Sequence, residues 1–188
     1  MFELITFVTI TAGIVVWIYN RLVKARNQVS AAWSDIDVQL KRRHDLIPQL
    51  VATVKTYAAY EKATLLAVTE LRAQNEAAVG LPEATGLPAK AALEDAMQAG
   101  LQRLIVLTED YPDLKADENF RKLQVDLTET EDNIQYSRRF YNGAVRILNT
   151  RIESFPDLLI ARPFCFISAE FFEVEDAIER NVPQVGNH

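Results

Sequence analysis

The chain is poor in the residues that build disulfide frameworks, metal centres and nucleophilic active sites. It has one cysteine, Cys165, and two histidines, His44 and His188, among 188 residues. A single cysteine excludes an internal disulfide and a cysteine-rich zinc site. Neither histidine follows a glutamate by three residues, which excludes the paired Glu-x-x-His motifs of a di-iron bundle.

Phosphate-binding and hydrolase motifs are also missing from the sequence. The six glycines form no G-x-x-x-x-G-K-S/T loop, no G-x-G-x-x-G turn and no G-x-S-x-G elbow, which are the loops that cradle phosphate or expose a nucleophilic serine. There is no H-E-x-x-H zinc motif either. We therefore predict that the protein is not an enzyme and that it has no cofactor and no bound metal.

Strand patterns are absent as well, because no segment alternates apolar and polar residues. Apolar side chains instead recur every three or four residues beyond the N-terminus, as on one face of a helix. The composition, 49% apolar and 24% charged, is sufficient for a packed core and argues against disorder. The predicted fold class is all-α, with an N-terminal transmembrane helix followed by an elongated antiparallel helical bundle.

Positive charge is scarce except in one short segment. Residues 21–43 hold six Lys or Arg against two acids, whereas residues 44–188 hold fourteen against twenty-three, and the net charge is −6. A nucleic-acid-binding domain carries its positive charge across a face of the fold, so we predict no nucleic-acid partner. We call the basic segment, residues 21–43, the basic neck. A short basic segment next to an acidic domain suits the surface of an anionic membrane leaflet.

The longest apolar run lies at the N-terminus, over residues 2–19. As a helix these 18 residues are roughly 27 Å long, close to the roughly 30 Å hydrocarbon core of a bilayer. Aromatic residues at the end of the run and cations just after it are typical of a membrane interface. The predicted membrane-interface residues are Trp17, Tyr19, Arg21, Lys24 and Arg26.

Two other interpretations of this run remain open. A cleaved signal peptide carries its cations before the apolar stretch, whereas here they follow it. A buried core helix is the second alternative, because 18 residues are at the short end for a span. Since Lys and Arg stay on the cytoplasmic side, we expect the N-terminus to face outward and the rest of the chain to lie in the cytoplasm.

Helix boundaries follow from prolines, glycines and acidic residues. Pro48 interrupts the first apolar stripe, which predicts a kink or break near residues 43–45. Residues 75–90 contain two glycines and two prolines and are predicted to be a loop. The other predicted elements are a helix from Pro88 or Ala89 to Glu109, a third helix of about 38 residues from near Asp117 to just before Pro156, and a final helical turn over 168–172.

Polar side chains near the basic neck form the candidate interaction patch. Its residues are Asp35, Asp37, Arg42 and Arg43. We interpret His44 as an exposed residue at a helix end, and Cys165, which lies among phenylalanines, as a small buried residue. Trp33 and Ile36 are expected in the seam of the bundle. An alternative in which acids of the third helix act with His44 as a metal site stays open; these acids are Asp126, Glu129, Glu131 and Asp132.

Several short motifs occur along the chain: YNRLV at 19–23, RNQV at 26–29, AWSDIDVQLKRR at 32–43, DLIPQLV at 45–51, YPDLKA at 111–116, and the pairs NF at 119, LQ at 123, TE at 130, RR at 138, YN at 141 and FP at 155. Together they resemble the LemA family of bacterial membrane proteins, over roughly residues 19–175. The resemblance implies a location in the bacterial inner membrane. The family usually has a glycine before its second C-terminal phenylalanine. This chain has Cys165 there, with Pro163 nearby. We expect this difference to affect how the C-terminal segment packs on the bundle.

The resemblance implies a short outward N-terminus and one span within residues 1–20, a cytoplasmic helical bundle over 21–175, and a C-terminal tail at 176–188. No catalytic residues come with the family. Its members are often found beside membrane proteases or other envelope proteins, and one branch is associated with magnetosomes. We therefore expect a scaffold or adaptor whose partners are the lipid bilayer and other membrane proteins, a membrane protease among the candidates. A self-assembling, membrane-organising homo-oligomer is the alternative.

Overall fold

The computed structural model describes residues 1–57, 61–82 and 85–172. These residues form helices and connecting turns, with no strand among them, which confirms the predicted all-α fold class. The proposed tail at 176–188 lies outside the described residues. The helices are α1 (Phe2–Tyr57), α2 (Lys62–Val79), α3 (Leu87–Thr108), α4 (Pro112–Ala116), α5 (Glu118–Glu153) and α6 (Leu158–Ala161).

Helix α1 joins the apolar N-terminal run to the bundle without interruption. Its 56 residues correspond to a length of roughly 84 Å. Only 6% of its most apolar stretch is buried in protein, so this stretch is not a core helix of the described fold. Burial begins at Ile18 and then recurs on one face through Leu22, Ala25, Ala32 and Ile36. The same helix is therefore a candidate membrane span at one end and a bundle helix at the other.

The helix does not break near residues 43–45, because α1 remains helical on both sides of Pro48; the alternative of a kink there stays a prediction. A proline inside a helix lacks the N–H that would bond the carbonyl of the residue four positions earlier, here His44. That carbonyl instead accepts a long hydrogen bond, 3.4 Å, from the side-chain amide of Asn75 on α2. A neighbouring helix thus supplies a donor for the carbonyl that Pro48 leaves unpaired.

The chain reverses after Tyr57, where the sequence pattern predicted no turn. The apolar spacing continues from Val54 to Val68, which predicts that both residues lie on one helical stripe. They instead belong to α1 and α2, and both are buried in the same core cluster. The predicted loop at 75–90 is also too long, because α2 continues to Val79 and ends at Gly80.

The remaining helix boundaries agree closely with the predictions. Helix α3 begins and ends one residue before the predicted limits. A short helix that we did not predict, α4, follows it and buries Leu114. Asp117 caps α5, because its side chain accepts a hydrogen bond of 2.8 Å from the backbone N–H of Phe120. As predicted, α5 ends before Pro156.

Helices α1 and α5 run antiparallel and form the backbone of the bundle. Tyr57 at the end of α1 donates a hydrogen bond to Asp117 at the start of α5, at 2.9 Å. At the opposite end, the Arg151 guanidinium donates to the backbone carbonyl of Arg21, at 3.0 Å. The last turn of α5 therefore lies beside the end of the candidate span. Trp33 is half-buried and Ile36 is fully buried in the seam, as expected.

After α5 the chain forms a compact turn that we call the corner, residues 154–167, which includes α6. The corner packs on α1 through Ala161 and Phe166. Cys165 is exposed, so our prediction of a buried thiol is wrong. Its backbone is in the left-handed region, with φ 54°, at the position where the family resemblance implies glycine.

The predicted helical turn at 168–172 is also wrong, because this segment is not helical. Its backbone N–H and carbonyl groups form hydrogen bonds with side chains of α5 and not with a neighbouring turn of backbone. Asn149 pairs with Ala169 and Asn142 pairs with Phe172, each through two hydrogen bonds. The Tyr141 hydroxyl donates to the carbonyl of Glu170, at 3.0 Å.

Candidate functional site

A buried arginine on α1 holds three helices together at the centre of the bundle. Arg43 lies on the core face of α1, one turn from Leu40 and Ile47, and is 1% exposed. Its guanidinium donates to the Glu94 carboxylate and to the Glu94 backbone carbonyl of α3, and to the Glu131 carboxylate of α5 at 2.9 Å. A buried charge is tolerated in a core only when it is paired and hydrogen-bonded in this way.

The Glu94 carboxylate receives a second donor from α1. His44 Nε2 donates to its other oxygen, at 3.1 Å. Burial raises the pKa of Glu94, but the hydrogen bond from His44 and the charge of Arg43 outweigh that effect, and the pKa lies below its ordinary value. Glu94 is therefore an ionised partner of Arg43. His44 lies within α1 and is largely buried, so our interpretation of it as an exposed helix-end residue is wrong.

A second buried arginine, Arg138 on α5, is also paired with an acid of α3. This acid is Asp95, the residue that follows Glu94. Arg138 donates to Asp95 at 2.8 Å, and its guanidinium carbon lies 4.4 Å from the ring centroid of Phe172. The Arg138 guanidinium therefore pairs with an acid of a neighbouring helix. Consecutive acids of α3 thus bond arginines from two different helices, which fixes the register of the bundle.

The four residues of the predicted interaction patch are not brought together on one surface. Asp35 and Asp37 are exposed. Arg42 is half-exposed and lies 3.7 Å from Asp126 of α5, whereas Arg43 points into the core. The structure leaves Arg43 inaccessible to a partner, and a binding role for the other three residues stays a prediction.

A cavity of about 340 Å³ lies beside the buried charges. Its lining includes Trp33, Lys41, His44, Lys90 and Glu94. The His44–Glu94 pair resembles an oriented general base, but the described residues that line this cavity include no serine, threonine or cysteine for it to activate. Among the described residues, no three His, Cys, Asp or Glu side chains lie close enough to hold a metal ion. The contacts of this cluster in the structure are those that join α1 to α3 and α5.

The predicted membrane-interface residues surround the start of the bundle. Arg21 lies 5.2 Å from the ring centroid of Trp17 and 3.5 Å from the Asp157 carboxylate. Tyr19 packs edge-on against Phe164 and Phe166, at centroid distances of 5.0 and 5.8 Å. Lys24 and Arg26 are exposed, and the Arg26 guanidinium lies 5.4 Å from the Phe166 ring.

An apolar strip that the sequence pattern did not reveal lies on the outer face of α5, away from its buried face. Tyr136, Phe140 and Ile147 are all exposed, Tyr136 to 65%. With Gly143 they are spaced four, three and four residues apart, as on one face of a helix. Within the part of the chain that the structure describes, a Cβ placed on Gly143 would meet no atom within 4 Å, so the strip has an open notch between Phe140 and Ile147. We call these four residues the α5 strip.

Comparison with known proteins identifies related chains. A model of the LemA family matches residues 32–186. The magnetosome proteins MamQ 2 and MamQ 1 of Paramagnetospirillum magneticum are each 26% identical over 184 residues, covering 85% of this chain and 66% of the relative. Protein LemA of Metamycoplasma hominis is 25% identical over 183 residues, covering 95% of this chain and 81% of the relative. The chain therefore spans just under two thirds of the length of these magnetosome relatives.

Proposed function

Because the chain belongs to the LemA family, we propose that it is a membrane-anchored helical scaffold without catalytic activity, whose α5 strip binds a helix of another membrane or envelope protein. The observation that carries this proposal is the continuity of α1, from the candidate span to Tyr57. The 38 residues of α1 that follow the apolar run, 20–57, have a length of roughly 57 Å. A bundle built on such a helix holds its surfaces at a fixed height above the bilayer.

The cations at the end of the apolar run supply the proposed orientation. Arg21, Lys24 and Arg26 follow the run directly, and such residues stay on the cytoplasmic side. The N-terminus then faces outward and the bundle lies in the cytoplasm, below the bacterial inner membrane. Labelling of Asn133→Cys, in a Cys165→Ser background, by an impermeant maleimide tests this. We expect labelling only after the inner membrane is opened; labelling in intact spheroplasts would reverse the orientation.

The α5 strip is the surface that we propose for the partner. Its spacing of four, three and four residues is that of a helix–helix seam. The notch at Gly143 accommodates a large side chain from the facing helix, because no atom of the described residues lies within 4 Å of a Cβ placed there. Arg139 and Arg146 are exposed beside the strip, so the complementary partner is a helix whose apolar face is flanked by acids.

Photo-crosslinking in the native membrane tests the strip directly. A photo-reactive phenylalanine analogue replaces Phe140 in the full chain, and the same analogue replaces exposed Val106 on α3 as the control. We expect one repeated protein adduct from position 140 and none from position 106. A membrane protease is one candidate for that adduct, and mass spectrometry identifies it. Equal adducts from both positions would contradict a specific strip.

A variant that blocks the notch without disturbing the fold sharpens this test. Gly143→Leu adds a side chain where a Cβ meets no other atom, and it replaces glycine within a helix, so the fold should be unchanged or slightly more stable. We expect the crosslink from position 140 to fall at least tenfold in this background. Retention of the crosslink would mean that the partner does not enter the notch.

Self-assembly is the second candidate function, because two copies anchored in one membrane can align their α5 strips in parallel. Such a pair would bring Arg139 and Arg146 of both copies to the same seam, where like charges repel. This repulsion favours a different, acidic partner over a second copy. An adduct of about twice the 21.3 kDa mass of the chain, increasing with salt, would instead favour self-assembly.

A further inference from the structure

The corner, residues 154–167, exposes large apolar side chains next to the candidate membrane span. Phe155 is 79% exposed and Ile167 is 82% exposed, and Leu159 and Phe164 are exposed as well. Soluble surfaces carry single apolar residues, but a cluster of this kind marks a contact surface. We propose that the corner is a second membrane contact that rests in the headgroup layer of the same bilayer that α1 enters.

The height of the corner follows from its contacts with α1. Ala161 packs in one cluster with Ile18 and Leu22, and Phe164 and Phe166 contact Tyr19. The apolar run ends at Tyr19. If residues 2–19 lie in the hydrocarbon core, the corner lies where the hydrocarbon gives way to headgroups, the depth at which aromatic side chains accumulate.

The charges around the corner suit anionic headgroups. Arg162 is exposed on the corner itself, and Lys24 and Arg26 are exposed on the adjoining turns of α1. The acid of the corner, Asp157, is buried and lies 3.5 Å from Arg21. Its negative charge is therefore not exposed on the surface of the corner. The corner therefore presents apolar side chains together with cations, the combination that binds the interface of an anionic leaflet.

The position of the corner favours contact with the bilayer over contact with another protein. The corner is joined to the span through Ile18 and Tyr19, so lipid already surrounds that level of α1. A protein that covered Phe155 and Leu159 would have to displace this lipid. This inference rests on the membrane span alone and is independent of the partner proposed for the α5 strip.

Spin-label accessibility in nanodiscs tests the contact on the full chain. In a Cys165→Ser background, single labels are placed at Phe155→Cys and Leu159→Cys, both exposed positions where a label fits. Ile10→Cys marks the span, and Val125→Cys is the control on α5, where an equally apolar residue is exposed far from the corner. The ratio of collisions with oxygen to collisions with a polar nickel complex reports the depth of each label.

We expect the ratio at positions 155 and 159 to be at least threefold higher than at 125 and lower than at 10. It should rise further when phosphatidylglycerol replaces part of the phosphatidylcholine. Ratios equal to that at 125 would overturn the proposal, as would dipolar broadening that shows a second copy covering the corner. A water-like ratio at position 10 would overturn the span itself, and with it this contact, while leaving the α5 strip to be judged by crosslinking.

Discussion

Asn142 and Asn149 lie two turns apart on α5. Each side chain forms a pair of hydrogen bonds with the backbone of residues 168–172, which we call the tail segment. The Asn149 amide donates to the Ala169 carbonyl and accepts from the Ala169 N–H, both at 2.9 Å. The Asn142 amide makes the same pair with Phe172, at 3.0 and 2.8 Å. The two side chains thus replace the backbone partners that this segment lacks.

Removing either asparagine should release the tail segment. Asn142→Leu and Asn149→Leu each leave a backbone donor and acceptor unpaired, at a cost of about 1–3 kcal/mol. Hydrogen exchange should accelerate at Phe172 in the first variant and at Ala169 in the second. Asn133→Leu, on an exposed position of the same helix, is the control and should change neither amide. Unchanged exchange in both variants would show that the segment is held by other contacts.

The Arg43–Glu94 pair predicts that substituting Arg43 lowers the stability of the protein much more than substituting its neighbour Arg42. Arg43→Met leaves the Glu94 carboxylate buried without its cation, which costs about 3–5 kcal/mol and lowers the melting temperature by roughly 6–20 °C. Arg42→Met removes a half-exposed partner of Asp126, worth less than about 1 kcal/mol. Thermal unfolding of the full chain in detergent, followed by near-ultraviolet circular dichroism, compares the two.

The double variant Arg43→Met/Glu94→Leu separates pairing from packing. Because it removes both charges together, it should recover most of the stability lost in Arg43→Met. A double variant as unstable as the single one would mean that Arg43 stabilises the bundle through its contacts with Glu131 and the Glu94 backbone, and not through the Glu94 carboxylate.

Relief of backbone strain at Cys165 should stabilise the corner. Its φ of 54° costs a residue with a side chain roughly 1–2 kcal/mol, part of which glycine offsets by its greater freedom in the unfolded chain. Cys165→Gly should therefore gain up to about 1 kcal/mol in the free energy of unfolding, whereas Cys165→Ala should gain nothing. A similar gain in both variants would assign the effect to the thiol and not to the backbone.

The contact between Asn75 and the His44 carbonyl should depend on Pro48. In the natural chain, Asn75→Ala leaves this carbonyl without the donor that compensates for Pro48, and we expect a loss of about 1 kcal/mol. In a Pro48→Ala background the restored backbone N–H bonds the carbonyl, so the same Asn75→Ala change should cost clearly less. Equal costs in a double-mutant cycle of unfolding free energies would show that the two residues are not coupled.

Local signals in the sequence predicted the long elements well. The cap at Asp117 and the stop at Pro156 place the ends of α5, and the motif blocks indicated the LemA family, which the match over residues 32–186 confirms. These features depend on nearby residues, so they can be read from the sequence alone.

The features that were mispredicted depend on partners distant in the sequence. The apolar spacing continues from α1 into α2, so periodicity gave no sign that the chain reverses after Tyr57. Arg43 is predicted to lie in the interaction patch because nothing near it in the sequence shows that its acids, Glu94 and Glu131, lie on α3 and α5. The segment at 168–172 appeared helical because nothing in it reveals that Asn142 and Asn149 supply its hydrogen bonds.

A scaffold held at a fixed height requires α1 to be one continuous helix from the proposed span into the bundle. Hydrogen exchange of the full chain in nanodiscs, resolved over residues 20–30, measures this directly, because these amides follow the proposed span of residues 2–19. We predict that they exchange at least a hundredfold more slowly than the same amides in denaturant, with no fast gap between the span and the buried face at Ala32. Unprotected exchange anywhere in residues 20–30 would show a flexible tether, and would contradict a scaffold held at a fixed height.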